Sequence, residues 1–493
     1  MALMSSSASV EAPVLDNFIG GRWVNARTTE FFDVHNPATG SVIGRTPMST
    51  GADVDAAVQA AARAFPAWRD TPVNARAQVL YRFKARLEQH FEELARTVTT
   101  EHGKTLDEAR GSVRRGIECV EVACGAPSLM QGFALEDISA AIDCHVVRQP
   151  LGVVAAIAPF NFPAMVPMWF LPFAIVTGNT FVLKPSEQVP LTQRRMAELL
   201  QQCDLPPGVV NVVNGGRAVV EALCDHPGIR AVSFVGSTPV AKAVYTRATA
   251  SGKRVQALGG AKNFVVVMPD ADLARSIPAI SESFYGCAGE RCLAGSMLVP
   301  VGDAHRETRD RMVAAAQALK VGDGLEPGVQ MGPVISAPHR DRVVNYIGIG
   351  VDDGAKLLVD GRQTRVPERP GGYFVGPTVF DDVSMKMAIG RDEIFGPVAS
   401  IAPVKTLEDA IALMHQHPNA NATSIFTSSG KAAREFAKHA TASMVGVNIG
   451  VAAPMAYFPF GGAKDSFFGD LKAHGRDGIE FYTDKKVTIS RWF

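Results

Sequence analysis

Neither sign of charge is in excess in this chain of 493 residues, which carries 49 Lys and Arg against 49 Asp and Glu. Proteins that grip nucleic-acid phosphates usually show a basic surplus, so nucleic acid is not expected as a partner. Cysteine is sparse: the seven stand at 119, 124, 144, 203, 224, 287 and 292. The odd count, without short paired spacings, argues against a secreted disulfide framework. No CxxC occurs, and Cys287 and Cys292 have no nearby His to complete a metal shell, so no metal is expected. Long hydrophobic runs are missing too. A membrane span needs about 18 unbroken apolar residues, whereas the most apolar region, 164–182, is interrupted by Pro167, Pro172, Gly178 and Asn179. No membrane partner follows. Residues 1–13 lack the basic start and apolar stretch of a signal peptide and the Arg of a transit peptide, and read as a tail. The expected location is the cytoplasm. Internal repeats and low-complexity tracts are not visible.

What remains is an ordinary globular mixture, 47 % apolar and 20 % charged, long enough for two or three domains. Short strands and turns are expected over 17–24 and 32–40, then a helix over 53–68. Residues 74–103 read as one long amphipathic helix, with Leu80, Phe83, Leu87, Phe91, Leu94 and Val98 at steps of three and four and Gly103 as its C-cap. A further helix over 106–124 carries Arg114, Arg115, Glu118 and Glu121. Strands and helices then alternate: strands at 152–157, 181–183, 209–213 and 231–235, and helices at 192–203 and 239–250. Wholly apolar strands between helices imply a parallel sheet covered on both faces. A second alternating set starts at 264–268 and continues past 440. The reading is two α/β domains changing near residue 258, with 486–492 alternating like an edge strand.

Four local patterns can carry chemistry, and each has a plainer reading beside it. Cys292 lies in Gly286-Cys-Ala-Gly-Glu-Arg-Cys-Leu-Ala294, where small residues leave room for a substrate and Arg291 can favour a thiolate. Alternatively it is a small core residue. Cys287 reads as core, because no charge is adjacent in sequence. Gly236-Ser237 joins a strand to a helix with Pro239 in its first turn, which suits a phosphate or is simply a turn. Lys184-Pro-Ser-Glu187 follows a strand, where α/β proteins place ligands. Its Lys and Glu can hydrogen-bond ribose hydroxyls or merely flank a turn. Asn161, in Ala158-Pro-Phe-Asn-Phe-Pro163, can aim its amide at a developing oxyanion or close a turn.

Together, in this order, these motifs and Glu393-Ile-Phe-Gly-Pro397 resemble the aldehyde dehydrogenase family from about residue 17 to 493. The resemblance implies two Rossmann-like α/β domains plus a small β oligomerisation element. The NAD-binding domain would span 14–126 and 150–257, the catalytic domain 258–445, and the oligomerisation strands 127–149 and 478–493. It implies Cys292 as nucleophile, and Asn161 with the Cys292 N–H as the oxyanion hole. Lys184 and Glu187 would hold the adenosine ribose, Ser237 the pyrophosphate and Glu393 the nicotinamide ribose. Ala158, Phe160, Gln188 and Gly259 complete the implied NAD site. A homo-oligomer, dimer or tetramer, is implied as well.

One departure bears on the reaction. Hydrolytic members place a water-activating Glu in a Glu-Leu-Gly-Gly-Lys run. Here the run is Gln256-Ala-Leu-Gly-Gly-Ala-Lys262, with Leu258 at the Glu position. Without a general base a thioester hydrolyses slowly, whereas a thiol cosubstrate such as coenzyme A is itself a strong nucleophile. The closer resemblance is to the CoA-acylating (methyl)malonate-semialdehyde dehydrogenases, through 158–167, Gly260-Ala-Lys-Asn263, Gly289-Glu-Arg-Cys-Leu-Ala294 and 458–469. Leu258-Gly259 and Gly462-Ala463 depart from that subfamily. Arg115 and Arg291 match its two substrate-carboxylate arginines; the plainer alternative makes Arg115 a surface helix charge. The expected activity is NAD-dependent oxidation of a small 3-oxoacid aldehyde with decarboxylation and transfer to CoA. The competing readings are a hydrolytic aldehyde dehydrogenase and an inactive structural oligomer.

Overall fold

A computed structural model describes residues 12–493. The tail read from residues 1–13 lies, except for its last two residues, outside the described residues. Two large sheets organise the chain. The parallel core of the first runs, in spatial order, Val210–Val212, Thr180–Lys184, Val153–Ile157, Ile229–Val235 and Arg254–Leu258. Antiparallel strands extend both edges, Asn17–Ile19 with Arg22–Val24 on one side and Phe467–Gly469 on the other. Taken in chain order, the five parallel strands are arranged 3-2-1-4-5. The direction of winding reverses between Val153–Ile157 and Ile229–Val235. A crevice opens at such a reversal, beyond the carboxyl ends of the strands.

The strand sequences explain the layering. Successive side chains point to opposite faces, and both faces are covered. Val154 and Ala156 pack into one apolar cluster with the helices of 73–124, while Val153, Ala155 and Ile157 pack into another with the helices Gly51–Asp70 and Thr238–Ala250. The second sheet is built in the same way. Its parallel strands are Thr378–Asp381, Val398–Ile401, Gly295–Pro300, Asn263–Val267, Ala422–Phe426 and Met444–Val447, with Lys356–Val359 antiparallel at one edge. Phe264 and Val266 face one apolar cluster and Val265 and Val267 the other.

Four residues, 259–262, separate the last parallel strand of the first sheet from Asn263, where the second sheet begins. This short crossing sets the carboxyl ends of the first sheet against the amino ends of the second. A third sheet stands apart. Thr483–Arg491 pairs along its whole length with Ile142–Pro150, which also pairs with Phe133–Ser139. Phe133, Leu135, Val487 and Ile489 are exposed on it. Among the described residues, no helix is long and apolar enough to cross a membrane.

Two expectations need correction. Residues 74–103 form two helices, Val73–Gln89 and Phe91–His102. The chain breaks at His90, whose imidazole pairs with Glu93 at 2.7 Å. The apolar steps Leu87, Phe91, Leu94 and Val98 run straight through the break, so periodicity cannot reveal it. Gly103 does close the second helix, at φ 95. Secondly, Phe467–Gly469 belongs to the first sheet, so the chain returns there after completing the second.

Asn179 ties the first sheet's central strand to its surroundings. It is fully buried; its Oδ1 accepts from the N–H groups of Leu151 and Gly152 at 2.7 and 3.0 Å, and its Nδ2 donates to the Tyr482 carbonyl at 2.8 Å. Asn179→Ala leaves these groups unpaired in a dry interior and is expected to destabilise the fold by about 3 kcal/mol. Denaturant unfolding checks this; a loss below about 0.5 kcal/mol would show that the network is dispensable.

Candidate active site

Helix Leu273–Tyr285 ends at the loop that carries Cys292, just before strand Gly295–Pro300. Cys287 and Ala288 adopt left-handed conformations, φ 50 and 52. Gly289, at φ 75, passes so close to the Gly396 carbonyl that no Cβ fits. The loop's polar groups find partners across the molecule. Glu108 Oε1 accepts from Cys287 N at 2.6 Å. Asn161 Nδ2 donates to the Glu290 carbonyl at 3.0 Å. Asn263 Nδ2 and Asn421 Nδ2 both donate to the Cys292 carbonyl, at 2.9 and 2.8 Å. Asn161 is itself held: the buried Lys104 Nζ donates to its backbone carbonyl at 2.6 Å and lies 3.8 Å from the Phe162 ring centre. An amide nitrogen has two hydrogens, so Asn161 keeps one for a further acceptor.

Cys292, Arg115 and Arg291 line one cavity of about 870 Å³, walled on its apolar side by Phe162, Trp169 and Phe460. The helix Leu106–Cys124 supplies one wall. Thr105 and Glu108 form its capping box, and Glu108, Arg115 and Glu118 recur at helical spacing on the cavity side. Arg115 donates to the carbonyls of Ala453 and Pro454, both at 3.2 Å, and pairs with Glu118 at 3.1 Å. Arg115 is thus a cavity residue and not a freely solvated surface charge. Arg291 is nearly enclosed. Its Nε lies 3.2 Å from Cys287 Sγ, and its Nη atoms pair with Glu282 at 2.6 Å and Glu108 at 3.4 Å.

These contacts correct one expectation: Cys287 does have a charge beside it, because the loop folds Arg291 back onto it. Arg291 does favour the Cys292 thiolate, as expected, but other effects outweigh it. Burial pushes the Cys292 thiol up to about 12, and the nearby Glu393 carboxylate adds to this; Arg291 opposes it more weakly. Glu393 is itself raised by burial, against the Ala261 N–H it accepts from at 2.9 Å and the charge of Lys262.

The crevice of the first sheet gathers the remaining expected residues. Ala158 N–H bonds to the Lys184 carbonyl at 2.9 Å, joining the ends of two adjacent strands. Lys184 Nζ and Glu187 Oε2 pair at 2.7 Å beyond the strand. Gln188 is half-buried one residue further on. Ser237 is the exposed N-cap of helix Thr238–Ala250, and its side chain makes no capping bond, so first-turn N–H groups point outward. A Cβ on Gly259 would lie 2.8 Å from the Asp465 carbonyl, and one on Gly260 would collide with the Glu393 carboxylate. Phe160 stands apart from this group: its ring packs on His102, His339 and Phe395. Donors at a helix start, a Lys–Glu pair and a glycine floor fit a dinucleotide.

Sequence reasoning missed several groups. Glu108 completes a capping box through one oxygen, and its second oxygen holds the Cys287 turn. Asn421 and Lys104 carry no local signal, and Asn263 stands in a motif of the resemblance without its contact being evident from it. His102 Nε2 and Glu290 Oε2 face each other at 3.8 Å, fully buried and without hydrogen-bond partners. Burial drives the Glu290 carboxyl far above and the His102 imidazole far below their usual ranges, so both are neutral. Among the described residues, no group of three or more side chains could hold a metal ion.

The sequence model of the aldehyde dehydrogenase family matches residues 23–488, and the chain belongs to this family of oxidoreductases. Similar proteins narrow the likeness. Malonate-semialdehyde dehydrogenase 2 of Geobacillus kaustophilus (strain HTA426) is 52 % identical over 97 % of this chain and 99 % of its own. A protein of Sinorhizobium meliloti 1021, assigned as a methylmalonate-semialdehyde dehydrogenase and solved with NAD, superposes with a TM-score of 0.97. It is 43 % identical over 98 % of this chain and 99 % of that one. Methylmalonate-semialdehyde dehydrogenase of Oceanimonas doudoroffii gives 0.96 at 46 % identity, over 97 and 98 %.

The raised thiol has a measurable consequence. Only the thiolate is alkylated, so iodoacetamide labelling of Cys292 in the ligand-free enzyme should accelerate about tenfold per pH unit across pH 7–9. Glu393→Gln removes a nearby negative charge and should speed labelling at pH 8 by roughly two- to tenfold. A rate that levels off below pH 8 would mean that the thiol is already ionised.

Proposed function

We propose that the protein is an NAD-dependent, CoA-acylating dehydrogenase for malonate semialdehyde, its methyl derivative or a similar small 3-oxoacid. The observation that carries this reading is the sharing of one cavity by Cys292 and two arginines, Arg115 and Arg291. A guanidinium holds a carboxylate through paired, charge-assisted N–H bonds, and an anionic aldehyde needs such a partner near the thiol. The names of the similar proteins, malonate- and methylmalonate-semialdehyde dehydrogenases, support the same substrate class.

In this reading Cys292, once deprotonated, adds to the aldehyde carbon, and the carbonyl oxygen becomes an oxyanion. The free hydrogen of Asn161 Nδ2 and the Cys292 N–H donate to it. Bound in the crevice by Lys184, Glu187, Gln188, Ser237, Ala158, Gly259 and Glu393, NAD supplies a hydride acceptor. Phe160, which the resemblance assigns to the NAD site, packs its ring on His102, His339 and Phe395 and stands apart from the other residues of that site. Oxidation leaves the acyl group on Cys292 as a thioester. Its β-carboxylate departs as CO₂, the enolate left behind takes a proton, and the thiolate of CoA attacks the thioester carbon to release acyl-CoA and restore the thiol. Acetyl-CoA or propionyl-CoA results, according to the substrate.

Water is a poor competitor because the chain offers it little help. Leu258, at the strand end where hydrolytic members carry a Glu, is buried and apolar. Glu290 is neutral and turned toward His102. The exposed apolar residues of the third sheet support a homo-oligomer in which this sheet is covered by another copy.

Steady-state NADH formation should therefore rise strongly on adding CoA, with acyl-CoA as product. Full-rate accumulation of free acid without CoA would make the enzyme hydrolytic. Arg115→Leu should raise KM for the anionic aldehyde roughly ten- to a hundredfold, the cost of one buried charge-assisted contact. An uncharged aldehyde such as propanal should suffer much less; equal losses for both would rule out Arg115 as the carboxylate's partner.

A further inference from the structure

Both arginines of the cavity already face carboxylates of this chain, and the three carboxylates are not equivalent. Glu118 lies one turn along Arg115's own helix and is 23 % exposed. Glu108 is 13 % exposed and immobilised: its oxygens accept from the N–H groups of Thr105 at 2.8 Å and Cys287 at 2.6 Å. Glu282 differs from both. It sits in the last turn of helix Leu273–Tyr285, is 58 % exposed, and has Arg291 as its one ion-pair partner among the described residues. Its Oε1 lies 2.6 Å from Arg291 Nη1, the shortest of the three arginine–carboxylate contacts. The other contacts of Arg291 run to Cys287, to Glu108 and, at 3.4 Å, to the backbone carbonyl of Glu282. An arriving carboxylate therefore reaches Arg291 by taking the place of Glu282.

We infer that Glu282 is a resident competitor for the substrate carboxylate, and so a specificity-determining residue. It occupies Arg291 in the free enzyme, and its carboxylate moves out to solvent when an anionic aldehyde enters. The inference rests on the reading of Arg291 as a carboxylate partner. Glu282 thereby weakens the site's preference for carboxylated over uncharged aldehydes, both by holding Arg291 and by adding negative charge to the cavity rim.

The test compares Glu282→Gln with the wild-type enzyme at saturating NAD and CoA, using malonate semialdehyde and propanal. The ratio of kcat/KM for the acid to that for propanal should rise about three- to tenfold, as expected for loss of a partly exposed ion pair and its charge. The gain should lie in KM for the acid and shrink in about 0.5 M KCl. Without turnover, malonate should protect Cys292 from iodoacetamide at a correspondingly lower concentration. An unchanged or reduced ratio, with malonate protecting no better, overturns the inference. Arg115→Leu separates the two failures. If it leaves the ratio at the wild-type value, the anionic-substrate reading itself fails. If it lowers the ratio while Glu282→Gln does not raise it, the anionic-substrate reading stands and the pairing of Arg291 and Glu282 has no part in it.

Discussion

Cys292 sits in a buried stretch of irregular backbone, and a buried backbone must have its N–H and C=O groups paired. Helices and strands do this internally; the loop 286–294 does so only in part, through Glu290 N–H to the Cys287 carbonyl and Ala294 N–H to the Arg291 carbonyl. Further partners come from four places: Glu108 on the helix Leu106–Cys124, Asn161 in the turn after the first sheet's central strand, Asn263 at the start of the second sheet, and Asn421 on a neighbouring connection. The thiol is therefore fixed only when both sheets are complete and correctly opposed. The short crossing 259–262 enforces that opposition, and Gly289, with no room for a Cβ, permits it.

The same enclosure sets the electrostatics. Removing water raises the energy of every isolated charge, and the groups around Cys292 respond in two ways. Where burial outweighs the partners present, the neutral form is favoured: the thiol, Glu290 and His102. Arg291, on which burial alone acts to lower the proton affinity, stays charged because Cys287, Glu282 and Glu108 surround it. The free enzyme thus holds its nucleophile in reserve. The Glu393 carboxylate adds to the effect of burial on the thiol, and Arg291 opposes it.

Much of this was legible in the chain. Wholly apolar strands gave away a covered parallel sheet, and the motifs around Asn161, Lys184 and Ser237 follow the carboxyl ends of its strands. What stayed hidden has physical reasons. The break at His90 preserves the apolar spacing on either side. Phe467–Gly469 is too short to signal the sheet it joins. Glu108 satisfies a local rule so completely that its second contact leaves no trace. The environments of Cys287 and Glu282 arise from a reversal of the loop through three positive-φ residues, of which only the last, Gly289, is a glycine, and residue spacing carries no sign of the first two.

The cavity's arginines come already paired, Arg291 through that reversal and Arg115 with Glu118 along its own helix. An enclosed guanidinium with no counter-charge would be costly, and a cavity held open for an anion would bear that cost in every unliganded molecule. Pairing each arginine with a carboxylate of the chain removes most of it. Substrate entry then becomes an exchange of one carboxylate for another, close to balanced in energy, and not the filling of an empty charged site. Such a site discriminates by charge without holding its ligand tightly. That suits a reaction whose substrate carboxylate must be released as CO₂ partway through the cycle: a grip strong enough to resist exchange would also stabilise the carboxylate that has to leave.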